Sequence, residues 1–133
     1  MAAIQFIEHL GKRVLLLDFA GVRDAQLALQ LIAQARAMVA AEPQRKDLLT
    51  VTDVKGMIYN DEINKAFIAL SKHNAPWVRA GAICNTSTIG KLITRANNMT
   101  TGRTFGSFDS RAEALDWVVA QVGAVPPAAK KTG

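Results

Sequence analysis

The stretch LLTVTDVKGMIYND, residues 48–61, decides the fold. Leu48, Leu49 and Val51 are apolar, and Thr50 and Thr52 suit the pleated surface of a strand. Asp53 closes the run, and Gly56 supplies a flexible turn. Asn60 and Asp61 are both able to cap a following helix whose apolar face is Ile63, Ala66, Phe67 and Leu70. A short buried strand that passes through a glycine turn into a polar helix start is half of a βαβ unit. In an open α/β sheet, the loop leaving the carboxyl end of such a strand is where ligands or partners dock.

The flanking sequence places this strand at the centre of a sheet. Upstream, Leu27, Leu31, Ala35 and Met38 recur at helical spacing, with Ala28, Ile32 and Val39 widening the stripe. Asp24 is the expected N-cap of that helix, which reaches to about Ala41 and stops at Pro43. Before it, Ile4, Phe6 and Ile7, a turn at Gly11-Lys12, and residues 13–19 (RVLLLDF) read as an antiparallel hairpin. Downstream, His73-Asn74-Ala75-Pro76 ends the helix that starts near Asp61, because proline disfavours a helical residue before it. Residues 77–84 (WVRAGAIC) form the next expected strand, and residues 85–88 cap a helix carrying Ile89, Leu92, Ile93 and Ala96. Residues 103–108 (RTFGSF) make a last strand. Ser110 and Glu113 have capping-box spacing ahead of a helix that buries Leu115, Val118, Val119 and Val122, flanked by Trp117. The order is β-β-α-β-α-β-α-β-α, an α/β domain over residues 1–123 with a mixed, mostly parallel five-stranded sheet and four helices. Residues 124–133 (AVPPAAKKTG) lack periodicity and read as a disordered basic tail.

Half of the 133 residues are apolar, yet no run approaches the roughly 18 that a membrane-spanning helix needs. The N-terminal MAAIQFIEHLGKR has no basic stretch ahead of an apolar core and does not read as a signal peptide. Cys84 is the only cysteine, so no internal disulfide is possible and a cytoplasmic location is expected. The formal net charge is +5, and no acidic residue lies between Glu62 and Asp109, an interval that holds Lys65, Lys72, Arg79, Lys91, Arg95 and Arg103. A one-signed surface of this kind favours an anionic partner, or serves solubility alone. Nucleic acid is disfavoured as that partner, because one Tyr and two Trp in separate elements make no stacking platform.

The motifs of catalysis are missing. There is no Gly-x-Ser-x-Gly elbow, phosphate loop or dinucleotide glycine motif, so no enzyme activity, cofactor or catalytic residue is expected. His9 and His73 lack partners at metal-ligand spacing, which leaves no metal site. Asp53 and Asp61 flank one loop, but one closes a strand and the other caps a helix. The chemistry that remains is anion binding at a helix N-terminus. Hydroxyls at Thr86, Ser87 and Thr88 precede free main-chain amides, and Lys91, Arg95 and Arg103 are near in sequence. An anionic small molecule or lipid headgroup would fit, and an ordinary capped helix with solvated cations is the alternative.

Several pieces together resemble the STAS domain, closest to the small SpoIIAA-like proteins of the anti-sigma factor antagonist type. They are residues 11–18 (GKRVLLLD), residues 48–56, residues 73–78 (HNAPWV) and residues 108–117 (FDSRAEALDW), and they span most of the chain. The resemblance implies a non-enzymatic regulatory module that binds a protein partner, or a second copy of itself, through the loop and helix after the central strand. Met57, Ile58 and Tyr59, expected as an exposed apolar trio, would make the contact together with Asp61 and Glu62. In the antagonist family a serine just after the central strand is phosphorylated to switch partner binding. Here that position falls near Glu62 or Ile63, and no serine or threonine lies between Lys55 and Leu70. Glu62 supplies a permanent negative charge instead.

Overall fold

RVLLLDF, read from sequence as one strand of an edge hairpin, forms a strand that sits inside the sheet and is covered on both faces. The computed structural model describes residues 3–86 and 104–123. Five strands, β1 (Ala3–His9), β2 (Lys12–Asp18), β3 (Leu48–Asp53), β4 (Val78–Cys84) and β5 (Thr104–Phe108), form one sheet in the order β1-β2-β3-β4-β5. β1 runs antiparallel to β2, and β2, β3, β4 and β5 are mutually parallel. The sheet is mixed and mostly parallel, as the sequence predicts.

Three helices are described: α1 (Ala25–Ala40), α2 (Asp61–Asn74) and α3 (Arg111–Gly123). Of the four expected from sequence, the one carrying Ile89 to Ala96 lies outside the described residues. Because β2, β3 and β4 succeed one another in a single direction, crossovers of constant hand put α1 and α2 on the same face. There they cover Leu15, Leu17, Leu48 and Val78 with Ala28, Ile32, Val39, Ile63 and Leu70. Period-two alternation sends Val14, Leu16, Leu49, Val51, Ala80 and Ala82 to the other face, where Ala114, Leu115, Val118 and Val119 of α3 close over them. β2 shows the continuous apolar run of a strand buried on both sides, and β3 buries Thr50 as well as its apolar residues. Small residues in β4 allow close approach: a Cβ on Gly81 would stand 2.8 Å from the Thr50 hydroxyl and 3.1 Å from the Phe105 ring.

The caps follow the sequence closely. Asp24 accepts a hydrogen bond from the Gln26 N–H at 3.0 Å, and Asn60 accepts one from the Ile63 N–H at 2.8 Å. The other candidate for that cap, Asp61, is the first residue of α2. Ser110 accepts from the Glu113 N–H at 3.2 Å, while its hydroxyl donates to the Glu113 carboxylate at 3.1 Å. Leu27 departs from expectation. It lies on the exposed side of α1, because the stripe that meets the sheet is Ala28, Leu31, Ile32, Ala35 and Val39.

The hairpin turn is one residue earlier than expected. His9 pairs with Lys12, so the two loop residues are Leu10 and Gly11, with φ of 50° and 78°. Two positive φ values make this a turn whose twist matches the flanking strands. Leu10 is 71% exposed and gains nothing from burial to offset its backbone conformation. Leu10→Asn is therefore expected to stabilise the domain by about 0.5–1 kcal/mol, read as a rise in the urea unfolding midpoint. A fall in the midpoint would contradict the strain.

Candidate functional site

Both β2 and β3 are apolar runs that end in aspartate, and parallel register brings those aspartates side by side. Asp18 pairs with Asp53, Asp53 with Cys84, and Cys84 with Phe108 along the carboxyl edge of the sheet. The cation between the carboxylates is Arg111, the first residue of α3. Its Nη2 lies 3.1 Å from Asp18 Oδ1 and 2.9 Å from Asp53 Oδ2, and its Nε donates to the same Asp53 Oδ2 at 2.9 Å. Both aspartates are buried, whereas the arginine side chain is 37% exposed.

The remaining Asp53 oxygen is also occupied. Oδ1 accepts from the Lys55 N–H at 3.1 Å and from Asn85 Nδ2 at 3.0 Å. Asp18 Oδ1 likewise accepts from the Ala20 N–H at 3.0 Å. Burial by itself would raise the Asp53 pKa. The hydrogen bonds from Asn85, from the Lys55 N–H and from Arg111, together with the arginine's charge, outweigh burial and hold the carboxyl below its ordinary value. The Cys84 thiol is pushed up to about 12 by burial and by the neighbouring Asp53, so it stays protonated at neutral pH. Among the described residues, this edge is thus an ion-pair network next to a thiol that stays protonated.

The loop that leaves β3 starts from this network. Gly56, with φ of 67°, makes the turn read from sequence. The expected exposed trio is corrected at two of its three positions. Met57 is only 9% exposed, and Ile58 is partly buried against the core under α1 and α2. The reason is that the Ile58 N–H donates to the Val22 carbonyl at 2.7 Å, and the Gly21 N–H donates to the Lys55 carbonyl at 2.8 Å. The loop is thereby laid along the one leaving β2, with both apolar side chains turned inward. Tyr59 is the member that faces solvent, 44% exposed, and its hydroxyl donates to Asn64 Oδ1 at 2.8 Å. Asp61 and Glu62 are exposed beside it in the first turn of α2.

The expected anion-binding group is only partly described. Thr86 is half-buried just past β4, and Ser87, Thr88, Lys91, Arg95 and Arg103 lie outside the described residues. Asn85, read as part of a helix cap, has φ of 63° and turns its amide to Asp53 instead. Of the basic residues without nearby acids in sequence, Arg79 is used structurally. It donates from Nε and Nη2 to the Gln121 carbonyl at the end of α3, at 3.2 and 3.0 Å. His9, which had no partner in sequence, meets Asp116 of α3 at 2.7 Å. His73 stacks on Trp77, with centroids 5.1 Å apart. Among the described residues, no group of three or more His, Cys, Asp or Glu side chains is placed to hold a metal ion. No described helix is long and apolar enough to cross a membrane.

Sequence reasoning missed the roles of Asp18 and Arg111, and it gave Asn85 a helix cap in place of its bond to Asp53. The signal for Asp18 was present, since VLLLD and LTVTD are two strand-like runs ending in the same residue. Nothing local marks Arg111, which is an ordinary residue behind a serine cap.

No family model matches the sequence, and no curated protein matches it significantly. Solved structures do. An uncharacterized protein of the DUF3478 family with a SpoIIAA-like fold, from Shewanella loihica, superposes with a TM-score of 0.69 at 17% identity, over 87% of this chain and 92% of that one. An anti-sigma-factor antagonist (STAS) domain protein from Planctomyces limnophilus superposes with a TM-score of 0.60 at 13% identity, over 89% of this chain and 99% of that one. Element order, sheet order and these two superpositions agree: the chain has the STAS/SpoIIAA-like fold.

Proposed function

We propose that this domain is a non-enzymatic regulatory module that binds a protein partner through the loop after β3 and the start of α2. The observation that carries the reading is the construction of that loop. Met57 and Ile58 anchor it in the core, and Tyr59 projects from it with Asp61 and Glu62 alongside. A fixed aromatic flanked by exposed charges loses little conformational entropy on binding, which is the character of an interface anchor. The likeness to a structure described as an anti-sigma-factor antagonist domain supports a protein-binding role for the same fold. Glu62 provides a constant negative charge, so binding here operates without a phosphoserine at this position. Met57 and Ile58 act as supports under the contact surface rather than as part of it.

The test compares retention of native binding proteins by the wild type and by the double variant Tyr59→Ala, Glu62→Lys, with folding checked by circular dichroism. Affinity for the retained partner is expected to fall about thirtyfold or more. Equal affinity in a folded variant would overturn the assignment.

A further inference from the structure

Asp53 joins three separate stretches of chain. It accepts from the Lys55 N–H in the loop leaving β3, from the Asn85 side chain in the loop leaving β4, and from Arg111 at the start of α3. Asn85 stands in the left-handed region, a conformation that asparagine tolerates but that needs local support. Its main-chain N–H donates to the Phe108 carbonyl at 3.0 Å, and the Val54 N–H donates to the Cys84 carbonyl at 3.2 Å. The two loops and the last helix are therefore braced against one carboxylate. Among the described residues, the charged or titratable groups on the elements meeting it are Asp18 at the end of β2, Cys84 at the end of β4, Lys55 in its own loop and Arg111. The exposed Asp109 lies between β5 and α3. Lys55 is exposed and contributes its main-chain N–H, and among the described residues Arg111 is the cation bonded to both aspartates.

We propose that Arg111 is a positioning residue: it keeps Asp53 charged beside Asp18 and through it holds the loop leaving β3 and the left-handed turn at Asn85. With the guanidinium in place, the Asp53 carboxyl is held below its ordinary pKa and accepts from the Lys55 N–H, the Asn85 amide and Arg111. Without it, two buried like charges stand side by side, and such a pair retains a proton well above the ordinary carboxylate range. A protonated Asp53 is a weaker acceptor for both the Lys55 N–H and the Asn85 amide, and the left-handed turn at Asn85 loses its support. The junction then becomes a pH-responsive hinge under the candidate contact loop. This role is independent of what that loop binds.

Amide hydrogen exchange, followed residue by residue from about pH 5 to about pH 8 and corrected for intrinsic rates, tests it. In Arg111→Met, the Lys55 and Asn85 amides are expected to exchange about tenfold faster toward the acid end, with the β1–β2 hairpin unchanged. Adding Asp18→Asn removes the like charge and should abolish that pH dependence. Arg111→Lys keeps the charge and should keep the wild-type pH profile, which also serves if the methionine variant does not fold. A pH-independent acceleration in Arg111→Met, a lysine variant that responds to pH, or no rescue by Asp18→Asn would each overturn the proposal.

Discussion

Phe19→Ala is expected to cost about 3–5 kcal/mol, because Phe19 is the largest fully buried side chain among the described residues. Phe19 is fully buried, directly after β2, where the chain turns out of the sheet. Its ring meets Phe67 of α2 edge-on, with centroids 5.1 Å apart and planes at 77°. Alanine would lose the burial of the ring, that aromatic contact worth about 0.5–1.5 kcal/mol, and the filling of the space between α1, α2 and the sheet. The main chain there is also committed, because the Phe19 N–H donates to the Asp53 carbonyl at 2.9 Å and the Val22 N–H to the Phe19 carbonyl at 3.1 Å. The site has little freedom to collapse around the missing ring. Urea unfolding should show the midpoint falling with the slope unchanged, and Phe19→Leu should recover more than half of the loss. A loss below about 1 kcal/mol would mean that the ring is not packed as described. For a domain whose total stability is of order 5–15 kcal/mol, the expected loss leaves a marginal fold.

Asp53→Ala is the second large effect, about 2–4 kcal/mol at neutral pH. Breaking a buried ion pair by removing one partner costs about 3–5 kcal/mol, reduced here because Arg111 is partly exposed and keeps Asp18. The variant also leaves the Lys55 N–H and the Asn85 amide without their acceptor. The pH dependence has a definite sign. The Asp53 pKa is lowered from 3.8 in the folded protein, so the ionised carboxylate contributes its stability above that value. The contribution is lost as pH falls through the folded-state pKa. The gap in unfolding midpoint between wild type and Asp53→Ala should therefore be widest at neutral pH and close in acid, below about pH 4. A gap that stayed constant down to the lowest pH would assign the effect to packing instead.

The two substitutions act on features of very different visibility. Phe19 stands at the end of an apolar run, and any reading of RVLLLDF buries it. Asp53 was visible as the end of a strand, but its side-chain partners were not, because they come from Asn85 after β4 and from a helix start 58 residues away. Asp61 was weighed beside it for being near in sequence, whereas Asp18 is its neighbour in space. The contact loop shows the same division. Gly56 and the cap at Asn60 were legible from residue type alone, since φ preference and capping are local properties. The inward turn of Met57 and Ile58 was not, since it depends on hydrogen bonds to a loop more than thirty residues upstream.

From sequence alone came the strands, the helices outside the undescribed stretch, the hairpin, the caps and the mixed parallel sheet. Each of these rests on periodicity or backbone preference within a few residues, and right-handed connection then leaves few ways to assemble them. Tertiary structure alone decided which charges meet and which apolar side chains of the 48–61 stretch face solvent. Parallel register sets Asp18 against Asp53, and the docking of α3 drops Arg111 between them. Side-chain pairing across strands and from a distant helix leaves no periodic trace in the sequence, because it depends on where elements stop relative to one another. The strand at Leu48–Asp53 could be read directly; what stands on its carboxyl edge could not.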